Sequence, residues 1–499
     1  MTTYNTLIKE HNKNKEDIIE INGQLADIVV SVKNFGAKGD GVNNDTDAIN
    51  TAQLSGNSLY FPKGIYLVDY FNITNNNIKI TADKEAILKA NNIINGFVKI
   101  SASNVNIDNN LILDCNNKAS TGLIIKDGSE DVCIECTILN VFSSDFIARG
   151  IHVEGNTDNI VINGCKIDNI VSTPNSIEGD NQGGSRAIAI MPSTLGTEIA
   201  PRNITIKNCV ITHIQPREDG DAISISGWSD TDNIIIKDNY FNYCSKRAFK
   251  IASPNVQILN NTIINPYIGA SENNYKDCMF SFASIFADNV TVKGNRFIGG
   301  NVQIAIEISI TPTIINNITI KDNEINIATT GIRPAYGLVY LQYGVTNSEI
   351  SGNTLINGLY GLQGRGTITN TLVANNIIKN ATSKGMIFET TNYVVFSDIN
   401  IVGNKINATQ YGMQFGNGQF VVTGNDGISG WEFISIVTGA SVILQGNKDD
   451  TYVTLPTPSV FYRGKTIVVR GDTTYDDRVY SCVKLANSNT YSWKQLTIN

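Results

Sequence analysis

One pattern returns about fourteen times along the chain: Asn or another polar residue, then apolar-any-apolar, with a second polar residue, usually Asn, six positions after the first. Clear copies are NIVINGCKI from Asn159, NITIKNCVI from Asn203, NIIIKDNYF from Asn233, NVQILNNTI from Asn255, NVTVKGNRF from Asn289 and NITIKDNEI from Asn317. Weaker copies start at Asn77, Asn104, Asp131, Asn347, Asn370, Asp398, Gln419 and Ser441. Successive starts lie 21 to 44 residues apart, an uneven period that points to a solenoid. Within each copy apolar and polar residues alternate, as at Ile204 and Ile206 or Ile318 and Ile320. Period two is the sign of strands with one buried face.

The recurrent Asn suits a turn, because its short side chain tolerates the left-handed region and can hydrogen-bond along a stack of equivalent residues. Parallel coils follow, right-handed by the general preference of crossovers between parallel strands, with strands about 4.8 Å apart. An antiparallel propeller or sandwich is the alternative, but its units are longer and more even, and hairpin dipeptides are few here. The expected fold is therefore all-β: a right-handed parallel β-helix over residues 30–450, a short helical segment over 1–29 and a small β domain over 451–499.

Charged residues make up 17% of the 499 residues and the net charge is -8, which argues against a nucleic-acid partner. No run of about twenty apolar residues marks a membrane span, and the N-terminus lacks the pattern of a signal peptide. Among eight cysteines, Cys165 and Cys209 fill one slot of consecutive copies, and Cys115 and Cys244 share another. Small residues stacked in a coil core explain this better than disulfides. Cys133 and Cys136 lack a second pair or histidines at metal spacing. Reduced thiols fit folding in a cytoplasm.

Residues 1–29 read as a polar helix with apolar positions at Leu7, Ile18, Ile21, Leu25 and Ile28. The last four follow a 3-4-3 spacing, which suits either a helix packed on the solenoid end or a short coiled coil joining several chains. Next comes VKNFGAKGDGVNNDTDAINTA from Val32, followed by LYFPKGIYLV from Leu59. Phe35, Gly36, Ala37, Lys38, Gly39, Asp40, Gly41, Asp45, Thr46 and Ala48 resemble the N-terminal segment of pectate-lyase-like superfamily proteins. The resemblance implies a structural segment leading into a helix that caps the β-helix, so Asp40, Asp45 and Asp47 are not assigned to catalysis.

From Leu455 the pattern changes to TLPTPSVFYRGKTIVV and DRVYSCVKLANSNTYSWKQL, which is similar to terminal β-rich segments of bacteriophage spike proteins, a large part of that superfamily. There Trp493, Tyr480 and Tyr491 form a small core or pack on copies of themselves. The combined resemblance implies a homotrimeric virion spike. It would be folded in the host cytoplasm and joined through its N-terminus to a tail or baseplate protein. Its partner would be a bacterial surface polysaccharide, capsule or O-antigen, which it binds and depolymerises.

Aligning the strands that precede each motif gives two outward columns. One holds Arg149, Arg186, Asp221 and Arg247, then Cys278, Ile304, Tyr336 and Tyr360. The other holds His152, Ala189, Ser224, Lys250, Ser281, Glu307, Val339 and Gln363. Charges followed by flat aromatic faces are what a sugar groove requires. Arg149, His152, Arg186, Arg247, Lys250, Glu307, Tyr336 and Tyr360 are the candidate substrate-binding residues. As a dull alternative, Arg149 and Arg186 pair with Glu154 or Asp221 as weak surface bridges.

Two loops on the same stretch carry carboxylates: Glu178 and Asp180 before Arg186, and Glu218, Asp219 and Asp221 before the following strand. Glycosidic cleavage needs one carboxylic acid to protonate the leaving oxygen and one carboxylate acting on water or the sugar. Crowding raises one pKa and leaves the other low. These five are the catalytic candidates. GDAISI from Gly220 with RAFKI one coil later is also reminiscent of polygalacturonase-type β-helix hydrolases. That resemblance implies Asp219 and Asp221 as acidic members and Arg247 and Lys250 as substrate-binding cations, but the family's histidine has no counterpart between them.

A polysaccharide lyase is the mechanistic rival, with Arg247, Lys250 or Arg186 as base or carboxylate neutraliser. A non-cutting adhesin is the rival of another class. An esterase is disfavoured, since no Gly-x-Ser-x-Gly elbow occurs. The hydrolase needs no cofactor, although clustered Asp oxygens could take calcium. Later carboxylates, Glu307 and Glu389, could complete a site between subunits.

Overall fold

The structure is a computed structural model of the chain. It describes residues 13, 29–56, 58–144, 147–173, 184–193, 198–215, 220–265, 279–300, 302–308, 314–327, 336–389, 394–431, 433–437, 439–447, 451–452, 458, 463–464, 466–469, 476, 478–486 and 490–496. Two compact units divide it, Met1–Cys244 and Ser245–Asn499. Apart from Lys13 and Val29, the helical segment expected over 1–29 lies outside the described residues.

In the N-terminal unit each coil threads three parallel sheets in turn. The first sheet takes the strand of the repeat motif, as in Asp158–Asn163, Arg202–Lys207 and Asp232–Lys237, with Ile160, Ile204 and Ile234 in register and buried. A second sheet takes the strand that follows, such as Lys166–Ser172 and Val210–Gln215. The third takes the strand before the next motif: Ala119–Ile125, Ala148–Val153, Ser185–Ile190 and Gly220–Ile225. β-branched residues dominate the inward positions because they pack well on a pleated, half-buried surface.

The segment at Phe35–Thr46 has the structural role expected of it. Asp45 is buried, and its carboxylate accepts from Lys38 N at 2.6 Å and Gly39 N at 3.1 Å. Gly39 has φ of +62°, and a Cβ there would stand 2.7 Å from the Tyr66 ring. The helix Thr46–Leu54 buries Ile49 and Ala52, and its Gln53 side chain exchanges hydrogen bonds with Thr74.

The C-terminal unit repeats the three-sheet coil. Its third sheet runs through Arg247–Ile251, Met279–Ile285, Val302–Ile308, Gly337–Leu341, Tyr360–Gly364 and Lys384–Phe388. Near its end Thr466–Val469, Arg478–Lys484 and Tyr491–Leu496 form a small antiparallel sheet. Cys482 is buried there, while Tyr480, Tyr491 and Trp493 are half-buried. Each unit is built of the all-β, right-handed parallel β-helix coils that the repeats predict, and the C-terminal one carries a small β sheet.

The motif asparagines behave as their chemistry requires. Of the fourteen motif starts, twelve have φ between +44° and +61°; Gln419 and Ser441 are the exceptions. Neighbouring copies bond along the stack, as from Asn233 Nδ2 to Asn203 Oδ1 at 2.8 Å and from Asn317 Nδ2 to Asn289 Oδ1 at 2.9 Å. The second Asn, six residues on, points inward. In the C-terminal unit Asn261, Asn295, Asn323, Asn353, Asn376, Asn404, Asn425 and Asn447 are buried, each Nδ2 donating to the next Oδ1 at 2.9 to 3.0 Å. Cys165 and Cys209 fill that slot in the N-terminal unit, where Asn239 Oδ1 accepts from Cys209 N. No disulfide joins the described cysteines.

Candidate functional site

The third sheet presents two faces, one in each unit. In the N-terminal unit, parallel register stacks Thr121, Arg149, Arg186 and Asp221 in one column and Ile124, His152, Ala189 and Ser224 in the next. The Arg186 and Asp221 side chains are 3% and 0% exposed, with Nη2 3.4 Å from Oδ2, and Arg186 Nη1 also donates to Ser185 O at 2.9 Å. Asp221 is thus the buried anchor of an arginine rather than a solvent-facing acid. Glu178, Asp180, Glu218 and Asp219 lie outside the described residues.

His152 is buried, and its Nε2 lies 2.9 Å from Met191 O. A carbonyl only accepts, so Nε2 carries the proton and Nδ1 is left as an acceptor. Burial, with the Arg149 charge behind it, pushes its pKa down to about 4. Glu154 does not pair with Arg149: Lys126 Nζ holds it at 2.8 Å and Asp127 N donates to it at 3.2 Å. Of the two surface bridges weighed from sequence, only that between Arg186 and Asp221 forms.

In the C-terminal unit the columns correct the sequence alignment. Arg247 pairs with Ser281, not Cys278, which lies outside the described residues. Lys250 is followed by Ser284, Glu307, Tyr340 and Gln363, so Ser281 and Val339 do not belong to that column. Val339 instead pairs with Ile306 in the core, and Gly337, not Tyr336, pairs with Tyr360. Ala and Ser fit either face of a strand, so the run CMFSFASIFA did not fix its own slots.

Around this column the chemistry is dense. The Arg247 guanidinium carbon lies 5.5 Å from the Phe280 ring centre. Glu307 is 2% exposed; Ser284 Oγ donates to its Oε2 at 3.0 Å and lies 2.8 Å from Ser281 Oγ. Burial raises the Glu307 pKa, opposed by the Ser284 bond and the Arg247 charge. One and two rungs on, Tyr340 and Gln363 carry the face forward. Tyr336 stacks on Tyr340 with ring centres 4.8 Å apart, Arg365 Nη1 reaches Tyr340 Oη at 3.4 Å, and Gln363 bridges Gly337 N and Glu389 Oε1. Lys384 Nζ stands 5.7 Å from the Tyr360 ring centre. Burial lowers the Lys384 pKa and, with Glu389, shifts that of Tyr360 upward.

Sequence reading missed Tyr340, Arg365, Lys384 and Ser284. A corrected register would have found Tyr340, since GLVYL sets it in the outward slot. Among the described residues no three or more His, Cys, Asp or Glu gather to hold a metal ion, and no helix is long and apolar enough to cross a membrane.

A parallel β-helix with a polar, aromatic third sheet is the class of structure these strands define, and comparison with known proteins agrees. Residues 29–271, just under half of the chain, match the family described as rhamnogalacturonase A/epimerase, pectate lyase-like. Plasmin and fibronectin-binding protein A of Streptococcus pneumoniae (strain ATCC BAA-255 / R6) is 40% identical over 72 residues, 13% of this chain. The match spans 10% of that curated protein's length. Among solved structures, PfbA, a surface adhesin of Streptococcus pneumoniae, aligns with a TM-score of 0.50 at 16% identity, over 95% of this chain and 99% of that one. Tailspike protein 3 of bacteriophage CBA120 aligns with a TM-score of 0.48 at 12% identity, over 94% and 68%. At such identities the likeness to PfbA shows the fold.

Proposed function

We propose that the protein binds a bacterial surface polysaccharide, capsule or O-antigen, along its third sheet and cleaves it internally as an endo-glycosidase, in the manner of a tailspike depolymerase. The observation that carries this reading is the outward column of the C-terminal unit. In it Glu307, a buried carboxyl whose pKa burial raises, stands in register with Tyr340 and Gln363. A carboxyl with a raised pKa is what leaving-group protonation on a sugar requires.

In this reading Glu218, Asp219, Glu178 and Asp180 are the acid and base candidates of the N-terminal unit, where Asp221 holds Arg186 in place. Arg247, Lys250, Tyr336 and Tyr360 line the glycan path. The protein works as a homotrimer on a virion, attached to a tail or baseplate protein through residues 1–29, with no cofactor; calcium is the alternative, and chelation tests it.

A second reading, a spike that binds without cutting, is favoured by the complete burial of Asp221 against Arg186. Incubation of the purified chain with a panel of surface polysaccharides separates the readings. New reducing ends without the ultraviolet absorbance of unsaturated uronate ends mean hydrolysis; both signals mean elimination and shift the base to Arg247 or Lys250. Glu218→Gln with Asp219→Asn is expected to keep binding and lose turnover by about 100-fold or more. Unaltered turnover in that variant removes those residues from the mechanism, and tight binding with neither signal makes the protein an adhesin.

A further inference from the structure

A dipeptide repeats at one edge of the third sheet in the C-terminal unit. Tyr360-Gly361 and Lys384-Gly385 each open a strand, and Tyr411-Gly412 stands just before one. Tyr360 and Lys384 are in register, and the pairing of Met386 with Met413 carries the same register on to Tyr411. The glycines let the rungs close here. A Cβ on Gly361, Gly385 or Gly412 would stand 2.5 to 2.8 Å from the carbonyl oxygen of the next rung. The side chain before each glycine is thereby set one strand spacing, about 4.8 Å, from the following one.

These side chains make a ladder of rings around one cation. Lys384 Nζ, 5.7 Å from the Tyr360 ring centre, is within cation–π range. Tyr411 meets Trp431 edge to face, with ring centres 5.1 Å apart and planes at 86°. Trp431 N donates to Gln410 O at 3.0 Å, which seats the indole on the following rung. Trp431 is 58% exposed, and Tyr360, Lys384 and Tyr411 are half-buried. The ladder begins two rungs beyond Glu307. From Tyr360 to Trp431 it runs three strand spacings, about 14 Å, a length that several sugar rings in a row fill and a single ring does not.

We propose that Tyr360, Lys384, Tyr411 and Trp431 grip a run of uncharged pyranose units, at a distance from the carboxylate that would act on the chain. This rests on the polysaccharide reading above and adds where an uncharged stretch of the glycan is held and that its length matters. The face of an aromatic ring packs on the C–H side of a pyranose, and an ammonium donates to its hydroxyl groups. The T-shaped pair presents a ring face and a ring edge at a right angle, which suits a ring that is apolar on one side and polar at its rim. Burial acts against the charge of Lys384, while Glu389 supports it and the Tyr360 face lies against it. The cation is thus balanced within the fold and needs no anionic sugar.

The full chain would be titrated with cellohexaose, maltohexaose and laminarihexaose, and with the disaccharide of each, by calorimetry and by tryptophan emission. The chain has three tryptophans, and Trp431→Phe identifies the emission of Trp431. At least one hexasaccharide is expected to shift that emission and to bind about tenfold or more tighter than its disaccharide. Trp431→Ala and Tyr411→Ala should each weaken it by about tenfold without lowering the melting temperature, and Trp431→Phe should lose the emission change but keep most of the affinity. Where Tyr411→Ala lowers the melting temperature, Trp431→Ala, at the exposed ring, decides. Equal affinity for hexasaccharide and disaccharide overturns the ladder. Hexasaccharide binding that Trp431→Ala leaves unchanged places the sugar elsewhere and overturns the proposal while the polysaccharide reading stands. Silence towards all six sugars overturns it as well, and if no surface polysaccharide binds either, the polysaccharide reading falls with it.

Discussion

Glu307 and His152 are both deprived of water, and the deprivation acts on them with opposite sign. For His152 the charged form is disfavoured, so its folded pKa is about 4 against an ordinary 6.5. The unfolded chain takes up the proton first, and stability present above pH 6.5 is lost as pH falls through 4. At about 1.4 kcal/mol per pKa unit, the full window is worth about 3 kcal/mol. For Glu307 the folded pKa lies above its ordinary 4.5, so stability is complete below 4.5 and declines as pH rises through the folded value. Glu307→Gln keeps an acceptor for Ser284 and should remove that decline, raising stability at neutral pH. Melting temperatures of the wild type, His152→Gln and Glu307→Gln between roughly pH 4 and 8 check both signs. A variant that keeps the wild-type slope in its own window refutes the assignment for that residue.

At the scale of the coil, the asparagine ladder is the device that fixes each turn to the next. Asn353 donates to Asn376 Oδ1 at 2.9 Å and to Ile320 O at 2.8 Å, and accepts from Asn323 Nδ2 at 2.9 Å. Its replacement leaves buried groups on both neighbouring coils without partners, which costs about 1 to 3 kcal/mol for each such group. Asn353→Leu, which keeps the volume, should therefore destabilise the chain by about as much as Asn353→Ala, and denaturant unfolding of the two variants tests this. If Leu restores stability, packing rather than hydrogen bonding sets the position. The ladder was legible in the sequence because a turn Asn and an inward Asn recur at a fixed six-residue interval within each strand segment. Loops between segments vary in length, so alternation alone fixes which face a residue takes only up to small shifts. That is why Ser281 and Tyr336 were set in the wrong slots. The corrected columns put Ser284 and Tyr340 beside Glu307. The bond from Ser284 to Glu307 and the capture of Glu154 by Lys126 join residues 23 and 28 positions apart, which no local pattern encodes.

At the scale of the molecule, a net charge of -8 opposes the approach of an acidic polymer, while the half-buried Arg149 attracts it locally. The two effects differ in range and in screening. Repulsion from exposed charges acts over distances that salt removes, with a Debye length of about 10 Å at 0.1 M ionic strength. Attraction by a half-buried guanidinium at bonding distance is screened much less. Association should therefore quicken as salt rises towards about 0.1 M, by a few-fold, because the encounter is limited by long-range repulsion. Dissociation should change less, since it is governed by contacts already formed. Arg149→Gln ought to leave the salt dependence of the association rate in place and raise the dissociation rate. Stopped-flow or surface-based kinetics with a uronate-containing oligosaccharide at several salt concentrations separates the two constants. An association rate that falls steeply with salt in the wild type would mean that a positive groove steers the polymer, and long-range repulsion would not be what limits the encounter.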